Sequence, residues 1–135
     1  MKELFAYLHP EGWPAPKGYS DGIVASGRLV FVAGQVGWNP GTGEFESDDF
    51  AAQAAQALSN VAAVLRSAGA DPAQLVRLTW YVTDRDAYLA ARPAIGAAYR
   101  RIIGTHYPTM SLVMVAGLLE PRALVEIEAT AVLLA

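Results

Sequence analysis

Two glutamates near the end of the sequence have the type and spacing that acid–base chemistry requires. Glu126 and Glu128 lie two residues apart in a segment of alternating apolar and polar residues. On a β-strand both side chains would leave the same face, with their Cα atoms roughly 6.6 Å apart. Two carboxylates in a closed cleft raise the pKa of one of them, which makes it a general base. The alternative is that at least one of them is solvated or paired with an arginine, and for Glu128 we favour this alternative.

Other patterns of catalytic or metal-binding residues are missing from the sequence. There are no cysteines, which excludes disulfides, thiolate nucleophiles and cysteine-based metal sites. The two histidines, His9 and His106, lack the spacing of a metal site and resemble ordinary surface residues. Gly41 and Gly43 form a short Gly-x-Gly pattern, but no phosphate-binding loop or GxSxG motif is present. The sequence therefore predicts neither a metal nor a cofactor.

The composition is that of an apolar, slightly acidic protein. The 135 residues are 53% hydrophobic and 17% charged, with a formal net charge of −3. This length predicts one domain over residues 1–135. The apolar fraction is high for so small a chain and suggests that some surface is buried between subunits. An acidic chain lacks the charge of a nucleic-acid-binding protein, and we expect the arginine cluster, Arg92, Arg100 and Arg101, to be a solvated helix face.

No segment of the sequence suggests a membrane partner. The first residues lack a basic stretch followed by an apolar run. No run approaches the roughly 18 apolar residues of a membrane-spanning helix. We therefore expect a cytoplasmic protein.

Hydrophobic periodicity predicts the elements that must position these side chains. Predicted strands cover residues 23–26, 28–33, 76–82, 110–116 and 125–134, and predicted helices cover residues 50–68 and 86–103. The pair Ser26 and Gly27 is a hairpin signal between the first two strands. Residues 9–20 should be irregular, and residues 37–43 should form a loop or a wide turn. Pro93 predicts a kink or a restart within the second helix.

Both helices carry signals at their ends. Ser47, Asp48 and Asp49 offer caps and favourable charge at the start of the first helix, and Gly69 and Gly104 offer a stop to the first and second helix respectively. The resulting order, β-β-α-β-α-β-β, does not alternate as a parallel series would. It favours an α+β fold in which a mixed sheet carries two helices on one face.

Five short motifs resemble those of the RidA (YjgF/UK114) family, in the same order and at similar spacing. They are Pro16-x-Gly18-Tyr19-Ser20, Val32-Ala33-Gly34-Gln35, Gln56-x-x-x-Asn60-Val61 followed by Gly69-Ala70, Pro108-Thr109-x-Ser111, and Val125-Glu126-Ile127-Glu128-Ala129. The resemblance extends over nearly the whole chain, from about Gly18 to Ala131.

The resemblance implies a chorismate-mutase-like fold and a homotrimer with small-molecule clefts between its subunits. Active members of this family, which is also called endoribonuclease L-PSP-like, hydrolyse reactive enamines and imines such as 2-aminoacrylate without a cofactor. In them an arginine holds the substrate carboxylate and a cleft glutamate helps to position the attacking water. Carried over to this sequence, the resemblance makes Glu126 the catalytic residue. The substrate-binding positions would be Tyr19, Ala33, Gly34, Gln35, Arg92 and Met110.

Three of these positions depart from the family pattern. Met110 replaces the arginine that holds the carboxylate, and a thioether cannot replace a bidentate guanidinium contact. Ala33 replaces a serine and removes a hydroxyl group. Arg92 falls where active members carry an asparagine, so it could supply a displaced guanidinium or be a solvent-facing helix residue.

Three functions remain open at this point. The first is an enamine or imine deaminase with a non-standard substrate, in a site that Met110 makes apolar, together with Trp38 if its loop reaches the cleft. The second is a trimer that binds a metabolite without converting it, which the missing arginine favours. The third is an endoribonuclease or translation inhibitor, which the acidic charge and the lack of a histidine pair disfavour.

Overall fold

The computed structural model describes residues 5–133. The helices and strands, in chain order, are β1 (Phe5–Leu8), β2 (Gly22–Ala25), β3 (Arg28–Val36), β4 (Trp38–Asn39), β5 (Glu44–Phe45), α1 (Phe50–Ser67), β6 (Leu75–Val82), α2 (Arg85–Ile102), β7 (Thr109–Met114) and β8 (Val125–Leu133). A short 3₁₀ turn at Pro72–Gln74 leads into β6.

The centre of the fold is a four-stranded mixed sheet in the order β3-β8-β6-β7. The last strand, β8, runs antiparallel between β3 and β6, and β7 pairs parallel to β6 at the edge. The connection from β6 to β7 is α2, as a parallel pair requires. The predicted α+β class, with a mixed sheet and two helices on one face, is confirmed.

One face of the sheet is covered by the helices. In β8 the residues Val125, Ile127, Ala129 and Ala131 are buried, while the residues between them are less so. This follows from the two-residue period of a strand. The apolar stripe of α1 packs onto this face through Ala54, Ala57, Leu58 and Val61. The small alanine side chains let the helix approach the sheet closely.

The predicted helix ends are confirmed. Asp49 caps α1, its carboxylate accepting a hydrogen bond from the Ala52 N–H at 2.9 Å. Gly69 follows α1 with a φ of 73°, and Gly104 follows α2 with a φ of 106°. Such positive φ angles favour glycine because it has no Cβ.

The predicted restart at Pro93 does not occur, since α2 runs as one helix from Arg85 to Ile102. Proline leaves the carbonyl four residues earlier without its usual partner. The helix continues nevertheless because its second half is fixed by packing. Ile95 and Tyr99 are buried in the same core as the sheet.

The predicted hairpin at Ser26 and Gly27 is wrong. Strand β2 pairs with β1, and β3 pairs with β8 in the central sheet, so the two residues form a corner between two sheets. Gly27 has a φ of 147°, and a Cβ there would lie 2.2 Å from the carbonyl oxygen of Leu133. The glycine is therefore needed for a close approach to the end of β8.

The remaining differences concern short elements. The strand β1 was not predicted, and the predicted loop at 37–43 contains β4, which pairs with β5 in a small hairpin. Both pairs are too short to show a clear alternation. Residues 9–20 are irregular as predicted, and Leu134, the predicted end of the last strand, lies outside the described residues. Within residues 5–133, neither α1 nor α2 combines the length and apolarity needed to cross a membrane.

Candidate functional site

A cavity of about 600 Å³ lies between α2 and the β6–β7 edge of the sheet, on the face that carries the helices. Trp80 of β6 and Met110 and Leu112 of β7 form its sheet side. Residues from α2 form the opposite side. Its size is typical of a small-molecule site.

Three of the predicted binding residues, Tyr19, Arg92 and Met110, meet in this cavity although they are far apart in the sequence. The irregular segment that carries Tyr19 is tied to the chain just before β7. There the Ser20 N–H donates to the carbonyl oxygen of Pro108 at 3.1 Å, and the Ser20 hydroxyl donates to that of Tyr107 at 2.5 Å. These bonds hold the phenol of Tyr19, which is 44% exposed, at the cavity.

Met110 makes this wall of the cavity apolar. It lies opposite Leu78 in the β6–β7 pair and packs against the core. The start of β7 is held by the Thr109 hydroxyl, which donates to the carbonyl oxygen of Val76 at 2.6 Å. The strand β7 therefore places a thioether at the position for which the family resemblance implies an arginine.

The other predicted site residues lie around a bulge between β3 and β8. The pairing shifts between Val32 and Gln35, so Ala33 and Gly34 together face Glu128. Glu126 packs onto the bulge, because a Cβ built on Gly34 would lie 2.7 Å from the Glu126 carboxyl carbon. The Gln35 side chain turns back and donates to the carbonyl oxygen of Ala33 at 3.0 Å.

Within one chain the sheet separates these two groups of residues. Glu126 alternates with the buried Val125 and Ile127 and therefore leaves the face opposite the helices. Met110 pairs with buried Leu78 and faces the helices. Glu126 thus shares no cavity with Met110 in a single chain.

Glu128 is paired, but with a tyrosine. The Tyr81 hydroxyl donates to Glu128 Oε1 at 2.5 Å. This hydrogen bond, together with the negative charge of the carboxylate, raises the pKa of Tyr81. Glu128 was expected to be solvated or paired with an arginine, and the structure gives it a tyrosine partner instead.

Two residues that line the cavity, Trp80 and Arg100, were not predicted as site residues, although Arg100 is exposed as expected. Trp80 is 4% exposed and lines the cavity, and Arg100, expected on a solvated face, lines it too. The spacing of Arg92, Gly96 and Arg100 at intervals of four residues places them on one helix face and could have revealed the arrangement. Trp38 instead packs against Phe45, with ring centroids 6.4 Å apart, and does not line this cavity.

The two histidines have structural partners. His9 Nδ1 lies 2.7 Å from an Asp21 carboxylate oxygen. His106 contacts the hydroxyl of Tyr7 at 3.1 Å and the carbonyl oxygen of Leu75 at 2.7 Å. Over residues 5–133, no three histidine, aspartate or glutamate side chains are grouped so that they could hold a metal ion.

Residues 12–133 match the family model described as endoribonuclease L-PSP. A RutC family protein of Haemophilus influenzae is 37% identical over 125 residues, covering 93% of this chain and 95% of that protein. A 2-iminobutanoate/2-iminopropanoate deaminase of Escherichia coli is 37% identical over 110 residues, covering 78% of this chain and 80% of that protein.

Solved structures agree with these matches. YyfB of Yersinia pestis, a protein of unknown function of the conserved Rid family, superposes with a TM-score of 0.84 at 37% identity, covering 97% of this chain and all of that chain. TdcF of Escherichia coli, solved with bound serine, superposes with a TM-score of 0.68 at 33% identity, covering 98% of this chain and all of that chain.

Proposed function

Because the chain belongs to the endoribonuclease L-PSP family, which is also the RidA (YjgF/UK114) family, we propose that it is a hydrolytic deaminase of an enamine or imine metabolite. Membership was predicted from five motifs and is confirmed by the match over residues 12–133. We propose further that the protein acts without a cofactor, as a homotrimer in the cytoplasm.

The observation that carries this proposal is the meeting of Tyr19 and Met110 in one cavity. The first and the fourth of the five motifs thereby line a single small-molecule site. Relatives with the same family assignment are named as 2-iminobutanoate/2-iminopropanoate deaminases. This chain is related to those deaminases and has a cavity of small-molecule size, and both facts support a small imine or enamine as its ligand class.

The substrate differs from the small imino acids because of Met110. A thioether offers neither charge nor a hydrogen-bond donor, so it cannot replace a bidentate contact to a carboxylate. The apolar wall of Met110 and Leu112 instead suits a substrate with a larger apolar part. We therefore propose a substrate whose carboxylate is absent or is bound elsewhere.

The proposed reaction is an attack of water on the imine carbon, with Glu126 as the general base. The carboxylate accepts a proton from the water while the new C–O bond forms and the imine nitrogen is protonated. Protonated Glu126 then gives its proton to the amine nitrogen of the resulting carbinolamine. As the hydroxyl group of this intermediate loses its proton to solvent, the C–N bond breaks, ammonia leaves and a carbonyl group remains. A carboxylate that packs onto Gly34 is restricted in its rotation, which favours a fixed position for the water.

This mechanism requires a neighbouring subunit. In one chain Glu126 lies on the face of the sheet away from the cavity, so a second chain must bring a glutamate to it. Exposed apolar residues on that face support an association there, since Leu29 is 58% and Phe31 is 72% exposed. The trimer would bury them.

The alternative function is a trimer that binds a metabolite without converting it, and the replacement of the arginine by Met110 favours it. A nuclease is the least supported function for an acidic chain. A panel of imines, generated in situ from amino acids by an amino-acid oxidase, separates the alternatives when the rate of carbonyl formation is followed. Acceleration that is lost in Glu126→Gln supports the deaminase, whereas binding without acceleration supports the alternative.

A further inference from the structure

Two arginines of α2 line the cavity on either side of a glycine. Arg92, Gly96 and Arg100 are spaced by four residues and face the same cavity. A Cβ built on Gly96 would lie 3.3 Å from Nη1 of Arg100. The Arg100 guanidinium therefore lies back over Gly96, one helical turn closer to Arg92 than its own Cα.

No acidic group compensates these charges in the described part of the chain. Within residues 5–133, the ion pairs closer than 4.0 Å are His9 with Asp21 and Arg122 with Asp48. The cavity lining adds Lys17 and contains no aspartate or glutamate. A cationic cavity in a chain of net charge −3 is a local feature, and it attracts an anionic ligand.

The interior of the cavity is aromatic and apolar. Tyr99 and Tyr107 stack with ring centroids 5.3 Å apart, and both line it together with Trp80 and Met110. The flat faces of these rings suit a planar ligand.

Trp80 also carries an unused donor. Its Nε1–H is buried, and within residues 5–133 it has no hydrogen-bond partner. Buried indole N–H groups are usually paired. Because this nitrogen has almost no accessible surface, a ligand in the cavity could pair with it only after the indole ring shifts.

We propose that the cavity binds a carboxylate with an aromatic body, in which Arg92 and Arg100 hold the carboxylate and the aromatic residues contact the ring. This names the substrate class of the proposed deaminase as an imino acid with an aromatic side chain. The inference rests on the proposed function for turnover but not for binding.

Binding is tested by titration calorimetry of the full chain with three probes. Phenylpyruvate carries ring and carboxylate, phenylacetone carries a methyl group in place of the carboxylate, and pyruvate lacks the ring. We expect phenylpyruvate to bind at least about tenfold more tightly than either of the others. Its affinity should fall with added salt, because Arg92 and Arg100 are exposed residues.

Variants test which residues hold the carboxylate. Arg92→Gln and Arg100→Gln should each lower the affinity for phenylpyruvate about tenfold and leave the affinity for phenylacetone unchanged. Arg101→Gln is the matched control, since Arg101 is exposed on the same helix and does not line the cavity. Gly96→Ala should lower the affinity for phenylpyruvate, because the added methyl group displaces the Arg100 guanidinium. The helix itself should become more stable.

Equal affinities for phenylpyruvate and phenylacetone would overturn the inference, as would full affinity in both Arg92→Gln and Arg100→Gln. Absence of phenylpyruvate binding at millimolar concentration would overturn it as well. Glu126→Gln distinguishes this result from a failure of the proposed function. If wild type and Glu126→Gln both bind phenylpyruvate but neither hydrolyses imines, the binding site stands and the deaminase does not.

Discussion

The carboxylate of Glu126 lies against the Cα of Gly34, so closely that a Cβ at residue 34 would come within 2.7 Å of its Oε2. Because β8 is paired on both sides, the backbone of Glu126 has little freedom to retreat. The bulge at Gly34 thus determines where this carboxylate lies.

Gly34→Ala should therefore displace the carboxylate and lower imine hydrolysis by about tenfold, since small misplacements of reacting groups have large effects on rate. The overpacking should also reduce the free energy of unfolding by about 1–3 kcal/mol. Steady-state kinetics and urea unfolding measure the two effects. Gly117→Ala is the control, because a Cβ there has no neighbour within 4 Å. Full activity of Gly34→Ala would contradict the assignment.

Glu126→Gln keeps the shape of the side chain and removes the base. Hydrolysis of an identified substrate should fall by about 10²-fold or more, without a change in oligomeric state. Glu128→Gln should have a much smaller effect, because Oε1 of Glu128 already accepts the Tyr81 hydroxyl. Comparison of kcat/KM for the two variants tests this, and equal losses would mean that Glu126 has no special role.

Hydrolysis of 2-aminoacrylate should be weak. The loss of a charge-assisted bidentate contact at Met110 should lower the rate by roughly 10²-fold relative to members that retain the arginine. Met110→Arg should recover part of this activity, whereas Met110→Leu should not. This expectation is compatible with a carboxylate site at Arg92 and Arg100, because 2-aminoacrylate lacks the aromatic ring that would place its carboxylate there. If the wild-type protein proves as fast as those members, the two arginines bind this small carboxylate without the ring, and Arg92→Ala is the first variant to assay.

The protein should sediment at about three times its monomer mass of 14.4 kDa. Phe31 is 72% exposed on the sheet face away from the helices, so Phe31→Glu should place charge in the interface and dissociate the trimer. Val64→Glu makes the same kind of change on α1 and should leave the trimer intact. A wild-type monomer at micromolar concentration would refute this prediction.

The burial of Tyr99 should lower the free energy of unfolding at alkaline pH. Burial raises the pKa of Tyr99 far above its ordinary value, so above pH ~10 the unfolded chain loses this proton while the folded chain keeps it. The free energy of unfolding should therefore fall as the pH rises beyond ~10.

In Tyr99→Phe, the free energy of unfolding measured with urea should fall less steeply between pH 9 and 11. The difference in slope should correspond roughly to the ionisation of one tyrosine. At neutral pH it should cost about 1 kcal/mol, because the hydroxyl no longer donates to the carbonyl oxygen of His106, a bond of 2.6 Å. An unchanged slope would show that Tyr99 ionises equally easily in both states.

The sequence alone determined the features that depend on neighbouring residues. The periods of α1 and β8, the cap at Asp49 and the outward direction of Glu126 all follow from local geometry. The five motifs were enough to identify the family, because each could be read within a few residues of the chain.

Only the tertiary structure decided which distant segments meet. Pairing of β2 with β1 rather than β3 depends on the corner at Gly27 against the end of β8, more than 100 residues away. The meeting of Tyr19 with Met110, and the position of Glu126 on the opposite face, depend in the same way on long-range strand pairing. Such contacts leave no periodic signal in the sequence, because residues that are remote along the chain create them through packing.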